Sequence, residues 1–346
     1  MRRWKRQDKR THMAETHDSN QDEPGKAPLP RHKADPAFTA EFTKAVEAYG
    51  KAASAGQTEQ AEAAALQMLS LAGEEAEHNP SPELLLTEQA RVCEERGAWG
   101  DAEALYRKLL AMAGASDEAS HTKHGQIFQA HRHLCNLFLL LGEYAKAGES
   151  AAAALVAARA AELSPLLIWA LDLNAYCALR LQDRPSALAM AAEAVRTVEP
   201  GPLYDTLRAG AWVSRARCRV LAGDDDLAEQ DLLASQPILF GKGLFDMAAG
   251  LHSRAASWWE VRASLCERRG DWSDALEAWT RAVECRRHVA SLPHVQSPHT
   301  LAALARTLLR LGAALREHGD EQEAGRILTE GSNIWQELGL PAQEAL

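Results

Sequence analysis

The sequence predicts an all-α fold, a solenoid of about seven helical hairpins, and three observations carry that prediction. Long runs rich in Ala, Leu, Glu and Arg favour helix, because these side chains lose little rotamer freedom in it. No sustained alternation of β-branched or aromatic residues with polar ones, bounded by turn residues, marks a strand. Four of the six cysteines, Cys93, Cys135, Cys177 and Cys218, recur at intervals of 42, 42 and 41 residues. Disulfide or metal chemistry does not require such regularity, whereas a structural repeat does. A turn signature recurs at a similar period: a Gly, an aromatic two residues on, and an Ala five residues on.

Taken from the N-terminus, the first hairpin turns at Gly56 with Ala61. The second turns at Gly97-Ala98-Trp99-Gly100-Asp101-Ala102 and the third at Gly142-Glu143-Tyr144-Ala145-Lys146-Ala147. The fourth has Gln182 in place of the Gly, followed by Ala187; the fifth turns at Gly223 with Ala228. The sixth is Gly270-Asp271-Trp272-Ser273-Asp274-Ala275 and the seventh Gly319 with Ala324. The physics is that of a hairpin. Gly ends helix A in a left-handed cap that costs a residue without Cβ nothing, the aromatic covers the turn, and the small Ala lets helix B approach helix A. Four residues after the Ala of the second to seventh hairpins, on the same face of helix B, stand Tyr106, Ala151, Ala191, Leu232, Trp279 and Leu328. Eleven residues before the turns, on helix A, stand Leu86, His131, Leu171, Trp212, Trp259 and Leu308.

This pattern resembles the tetratricopeptide repeat, which has a large residue in helix A, Gly-x-Tyr at the turn and Ala early in helix B. The resemblance runs from Ala37 to about Leu338. The turns are 41, 45, 40, 41, 47 and 49 residues apart, longer than the family's period of about 34. In this they resemble kinesin light chain-like arrays and the repeat arms of bacterial regulators. The resemblance implies a right-handed α-solenoid that works as a protein-interaction scaffold or adaptor, holding a peptide or helix of a partner protein in a concave groove lined by helix A side chains. Residues 1–35, rich in charged, His, Gln, Asn and Pro residues, predict a disordered N-terminal segment, with Met13 as a second candidate start. Residues 36–346 are then the array.

Charge narrows the partner. The chain has 38 Lys and Arg against 48 Asp and Glu, a formal charge of −10, which argues against nucleic acid or an anionic membrane surface as partner. The longest apolar stretch, Leu134 to Leu141, is far short of the ~18 residues that a membrane span needs. The basic start, Met1 to Arg6, has no apolar core behind it to make a secretory signal, so the expected location is the cytoplasm.

Candidate chemical sites dissolve into the repeat. On one helix His124, His131 and Cys135 share a face, with His121 and His133 nearby, but His131 and Cys135 fall at packing positions of the repeat and predict no metal. Cys93, Cys135, Cys177, Cys218 and Cys266 all stand late in helix A, where a small side chain fits between helices. Trp99, Trp272 and Trp279 are assigned to turns and packing. No Gly-rich phosphate loop, GxSxG or HExxH is present. The expectation is therefore no catalytic residue, no metal and no cofactor.

What the resemblance does imply is a partner-binding groove. In the third unit its residues are Gln129, Arg132, His133 and Asn136; in the fourth Trp169, Asp172, Tyr176 and Arg180; in the fifth Arg217. Aromatic, Arg and amide side chains are the types enriched at binding hot spots. The carboxylate clamp with which some family members hold chaperone tails is matched only in part. Arg132 and Asn136 fit its first pair, with Arg for Lys, but Leu173 stands where Asn is needed, with Asn174 one place off. Gly210 and Ser214 replace the last Lys and Arg, and Arg306 and Arg310 fit that pair in the wrong unit. A co-chaperone role is disfavoured, while recognition of an acidic segment by Arg132, Arg180, Arg217 and Arg268 stays open. The alternative is a regulatory sensor arm that binds a short peptide or small ligand and acts through a partner protein. The C-terminal stripe of Ile327, Leu328, Ile334, Trp335 and Leu338 predicts an uncovered solenoid end and self-association through the last helix.

Overall fold

The computed structural model describes residues 82–116, 120–198, 202–241, 249–292, 295–318 and 320–341, with isolated positions between 40 and 71. The segment 1–35, the first hairpin at Gly56 and Ala61, and Gly319 lie outside the described residues. Twelve helices follow one another from residue 82: α1 (Pro82–Glu95), α2 (Trp99–Ala115), α3 (Ser120–Leu141), α4 (Tyr144–Ala160), α5 (Ser164–Arg180), α6 (Arg184–Thr197), α7 (Pro202–Ala222), α8 (Asp225–Phe240), α9 (Ala249–Arg269), α10 (Trp272–Ser291), α11 (Pro298–Glu317) and α12 (Glu321–Glu337). They pair in sequence as six hairpins, α1 with α2 through α11 with α12, and each hairpin packs on the next.

The turns repeat one backbone solution. Gly97, Gly142, Gly223 and Gly270 all have φ between 71° and 91°. The residue after each donates its N–H five residues back, from Ala98 to Cys93, Glu143 to Phe138, Asp224 to Arg219 and Asp271 to Cys266, each at 2.9 Å. This is the Schellman arrangement that satisfies the last carbonyls of a helix. Gln182 takes the same place with φ 62°, and Asp183 makes the same bond to Ala178 at 2.8 Å. The fourth turn thus survives without its Gly because the hydrogen bonds, not the residue, define it. Asp183 and Asp320 then cap the helices that follow, accepting from the Ser186 and Glu323 amides. The turn alanines, Ala102, Ala147, Ala187, Ala228, Ala275 and Ala324, are all buried between A and B helices.

The core is a succession of clusters, most of which draw on more than one hairpin. Leu86, Leu171 and Leu308 are buried at the bulky helix A position, and His131, Trp212 and Trp259 are half-buried there. The repeating cysteines do pack between helices: Cys135 and Cys177 bring their sulfurs to 3.5 Å across α3 and α5. The hydrogen bond to Cys177, and then burial, push the Cys135 thiol far up, and burial lifts Cys218 to about 11. Such thiols stay protonated at neutral pH and make poor nucleophiles. No helix among the described residues is long and apolar enough to cross a membrane.

The end of the array differs from the expectation. The inner helices α3, α5, α7 and α9 touch one another in succession, and the curl they impose brings α11 back onto α3. Leu140 of α3, Ala302 and Ala305 of α11, Trp335 of α12 and Leu340 form one buried cluster, flanked by Trp99, Leu141, Ile334 and Leu338. His299 Nε2 lies 3.3 Å from the buried Glu94 carboxylate of α1. Of the C-terminal stripe, Ile334, Trp335 and Leu338 thus meet residues of α2 and α3, while Ile327 packs among α9, α10 and α11 and Leu328 lies against Gly312 of α11, so the stripe is not the uncovered end on which self-association was expected. The solenoid is a ring with a joint.

Candidate binding cavity

Helix A residues pointing away from helix B face the middle of this ring. The space there has two neighbouring chambers. One, of about 570 Å³, lies among α5, α7, α9, α10 and α11; the other, of about 330 Å³, lies among α3, α5, α7 and α11. Tyr176, Arg217 and Arg306 line both. Six guanidiniums reach the walls, from Arg132, Arg180, Arg217, Arg286, Arg306 and Arg310, against two carboxylates, Asp172 and Glu260. In a chain of formal charge −10, positive charge is concentrated on the walls of these two chambers.

The two acids are already engaged. Glu260 Oε1 accepts from Arg286 Nε at 3.0 Å and Nη2 at 2.8 Å and from the Thr307 hydroxyl at 3.0 Å. Its Oε2 lies 3.5 Å from Arg217 Nη2. Burial would raise this carboxyl, but Arg286 and Arg217 with those hydrogen bonds outweigh it and hold Glu260 below the usual carboxylate range. Asp172 accepts from the Ser214 hydroxyl, and burial pulls the pKa of Arg254 down against the opposing charge of Asp172. The remaining arginines rest on aromatic faces: Arg132 on Trp169 at 5.4 Å, Arg180 on Tyr144 at 4.4 Å, Arg306 on Trp335 at 5.8 Å and Arg310 on Trp279 at 5.6 Å. Arg310 also reaches Glu267 at 3.5 Å. Arg132 Nε is buried without a hydrogen-bond partner, and burial pulls its pKa down. Among the described residues neither Arg132 nor Arg306 has a carboxylate within ion-pair distance.

Of the groove residues named from the sequence, Arg132, Asn136, Trp169, Asp172, Tyr176, Arg180 and Arg217 lie on these walls. Gln129 and His133 do not. His133 turns toward α2, where its ring stacks on Tyr106 at 4.9 Å and 7°; burial first, then Arg132, hold its pKa down at about 4. Arg268 also stays off the walls, drawn by Asp225 of α8 at 2.9 Å. Asn174 is buried and donates Nδ2 to the carbonyls of Ala151 and Ala170, a staple between α5 and α4. The histidines of the third unit diverge. His124 bonds Ser120 at its own helix start, His131 is half-buried with Nδ1 unpartnered, and no described group of three His, Cys, Asp or Glu side chains is arranged to hold a metal.

Glu260, Arg286, Arg306 and Arg310 were not foreseen as wall residues. For Arg306 and Arg310 a signal existed, their match to the last pair of a clamp, but they stand far along the sequence from Arg132, and ring closure brings Arg306 into the same chamber as Arg132 while Arg310 lines the other. Trp279, assigned to packing, is buried as expected, with Nε1 on Glu267 at 2.7 Å, and its edge still reaches the larger chamber.

No protein-family model and no curated protein matches the sequence. Solved structures do. The apo form of RapI is 9% identical and covers 88% of this chain and 99% of that one, with a TM-score of 0.56. Aspartyl phosphate phosphatase F from Bacillus subtilis is 12% identical over 88% of this chain and 72% of that one, at 0.53. A Rap protein complexed with Competence and Sporulation Factor is 12% identical over 88% and 98%, at 0.52. At such identities the likeness is one of fold, and the fold is a tetratricopeptide-type solenoid.

Proposed function

We propose that this chain is a non-enzymatic interaction module, a scaffold or adaptor whose central cavity holds a peptide or helix of a partner protein. One observation carries the reading: the cavity wall combines guanidiniums, aromatic faces and an amide from several inner helices, while its two carboxylates are committed to neighbouring side chains. Such a wall offers donors and flat apolar surface to a segment and presents no free carboxylate as general base. The groove residues Arg132, Asn136, Trp169, Tyr176, Arg180 and Arg217 are the proposed contacts. The test replaces Tyr176 with a photo-crosslinking residue in the full chain. Crosslinks should map to one segment of a recovered partner and vanish when Arg132 and Arg217 are changed to Ala in a variant of native circular dichroism. Crosslinks that persist unchanged in that variant refute the assignment.

A second reading, a sensor arm that changes shape on binding a ligand and acts through a partner, is favoured by the fold shared with a Rap protein solved with Competence and Sporulation Factor. A change in scattering radius on adding the crosslinked segment as a free peptide distinguishes the sensor from a static scaffold.

A further inference from the structure

We infer that the joint of the ring is an anion-held clasp: an anionic group of the ligand, a phosphate or a pair of carboxylates, binds between Arg132 and Arg217 on one side and Arg306 on the other and keeps the ring closed. This deepens the cavity reading and rests on it.

Three observations combine. The first is placement. Arg132 is on α3, Arg217 on α7 and Arg306 on α11, yet all three line the chamber of about 330 Å³. Arg306 reaches it only because α11 has come back onto α3, so the constellation exists only in the closed ring.

The second is charge. Arg132 has a buried nitrogen without a partner, and among the described residues neither Arg132 nor Arg306 has a carboxylate. The nearby acids have partners of their own: Glu260 holds Arg286, Arg217 and Thr307, and Asp172 accepts from Ser214. Even with Asp172 on the same wall and Glu260 beside Arg217, three guanidiniums leave this chamber net positive, and like charges repel across the joint. An anion there turns repulsion into attraction, and guanidiniums present the paired donors that phosphate and carboxylate oxygens match.

The third is the thinness of what otherwise holds the joint. Among the described residues it is built on the small cluster around Leu140 and Trp335 and on the contact of His299 Nε2 with the Glu94 carboxylate. A ligand that binds only the closed form at a hundred times its Kd shifts closure about a hundredfold.

The test uses the purified full chain at constant ionic strength, with tripolyphosphate, hexaglutamate and neutral hexaglutamine as probes. Calorimetry reads binding, and amide hydrogen exchange reads α1, α11 and α12. At least one anion should bind and slow exchange in those helices; which one identifies phosphate or carboxylate as the preferred group. Arg306→Gln and Arg132→Gln should each weaken binding about tenfold or more and abolish the slowing. Arg268→Gln, whose partner Asp225 lies off the cavity, should change neither. Circular dichroism establishes that each variant is folded, and either of the first two suffices if the other is not.

The clasp is overturned if neither anion binds, if both cavity variants bind as the native chain does, or if binding leaves the joint's exchange unaltered. Hexaglutamine protecting as well as hexaglutamate also overturns it, while leaving the cavity reading intact. That reading stands or falls on the crosslinking experiment, which uses no charged probe.

Discussion

Replacing Glu260 with Gln removes one negative charge from a point where four donor groups converge. The carboxylate takes two hydrogen bonds from Arg286, one from Thr307 and a longer contact from Arg217. Glutamine keeps the shape and one carbonyl oxygen, so packing is preserved and the loss is electrostatic. Breaking one partner of a buried ion pair costs about 3–5 kcal/mol, because the other charge is left uncompensated. The Arg286 and Glu260 side chains retain 14% and 18% exposure, which lets water offset part of it and sets the expectation at the lower end, about 3 kcal/mol. For a chain of this length, with an unfolding entropy of about 2.1 cal/mol/K per residue, that is a fall in Tm of about 4 °C. Adding Arg286→Met to Glu260→Gln should recover most of it, since an apolar replacement of both members leaves no stranded charge. The same single substitution makes the cavity more positive, so hexaglutamate or tripolyphosphate should bind more tightly to the less stable protein. The assays are thermal unfolding and calorimetry on the same preparations. A Tm within about 1 °C of the native value, or anion affinity that falls along with stability, would refute the account of Glu260 as counter-charge to the arginines.

Acid should act through His133. Its folded value of about 4 lies below the ordinary 6.5, so the unfolded chain takes up the proton first. The stability it contributes is complete above about 6.5 and is lost as pH falls through about 4, a span of about 3 kcal/mol. Urea unfolding of His133→Phe, which keeps the stack on Tyr106, should show a correspondingly flatter dependence over that range. Gln182→Gly should stabilise the chain by up to about 1 kcal/mol, because a left-handed φ of 62° strains a residue that carries a Cβ; a lowered urea midpoint would count against the cap. Gly312→Ala places a Cβ 2.6 Å from Leu328 Cγ and should cost about 1–3 kcal/mol by forcing α11 from α12. Hydrogen exchange in α12 should rise in that variant.

Much of the repeat was legible in the sequence because its determinants are local. A chain reversal between two close helices needs a left-handed residue and then a small one, so Gly97, Gly142, Gly223 and Gly270 mark the turns and Ala102 through Ala324 mark the buried contact. Even Gln182, identified by spacing alone, occupies the left-handed cap. Helical period likewise placed Arg132, Asn136, Trp169, Asp172, Tyr176, Arg180 and Arg217 on the inner face. The same period placed Gln129 and His133 there, and it failed at His133 because a nearby partner, the ring of Tyr106, decided which way the side chain turned.

What the sequence by itself determined is thus the hairpin: where each helix ends, which residue lets its neighbour approach, and which face looks inward. What only the tertiary structure decided is the ring. Its closure is the accumulated rotation of six hairpins of unequal length, a sum that no single residue encodes and that a small change in any inter-helix angle would alter. For that reason the stripe of Ile334, Trp335 and Leu338 could be seen as apolar but not as covered. For the same reason Arg306 could be seen as a basic helix A residue but not as the neighbour, across a joint, of Arg132.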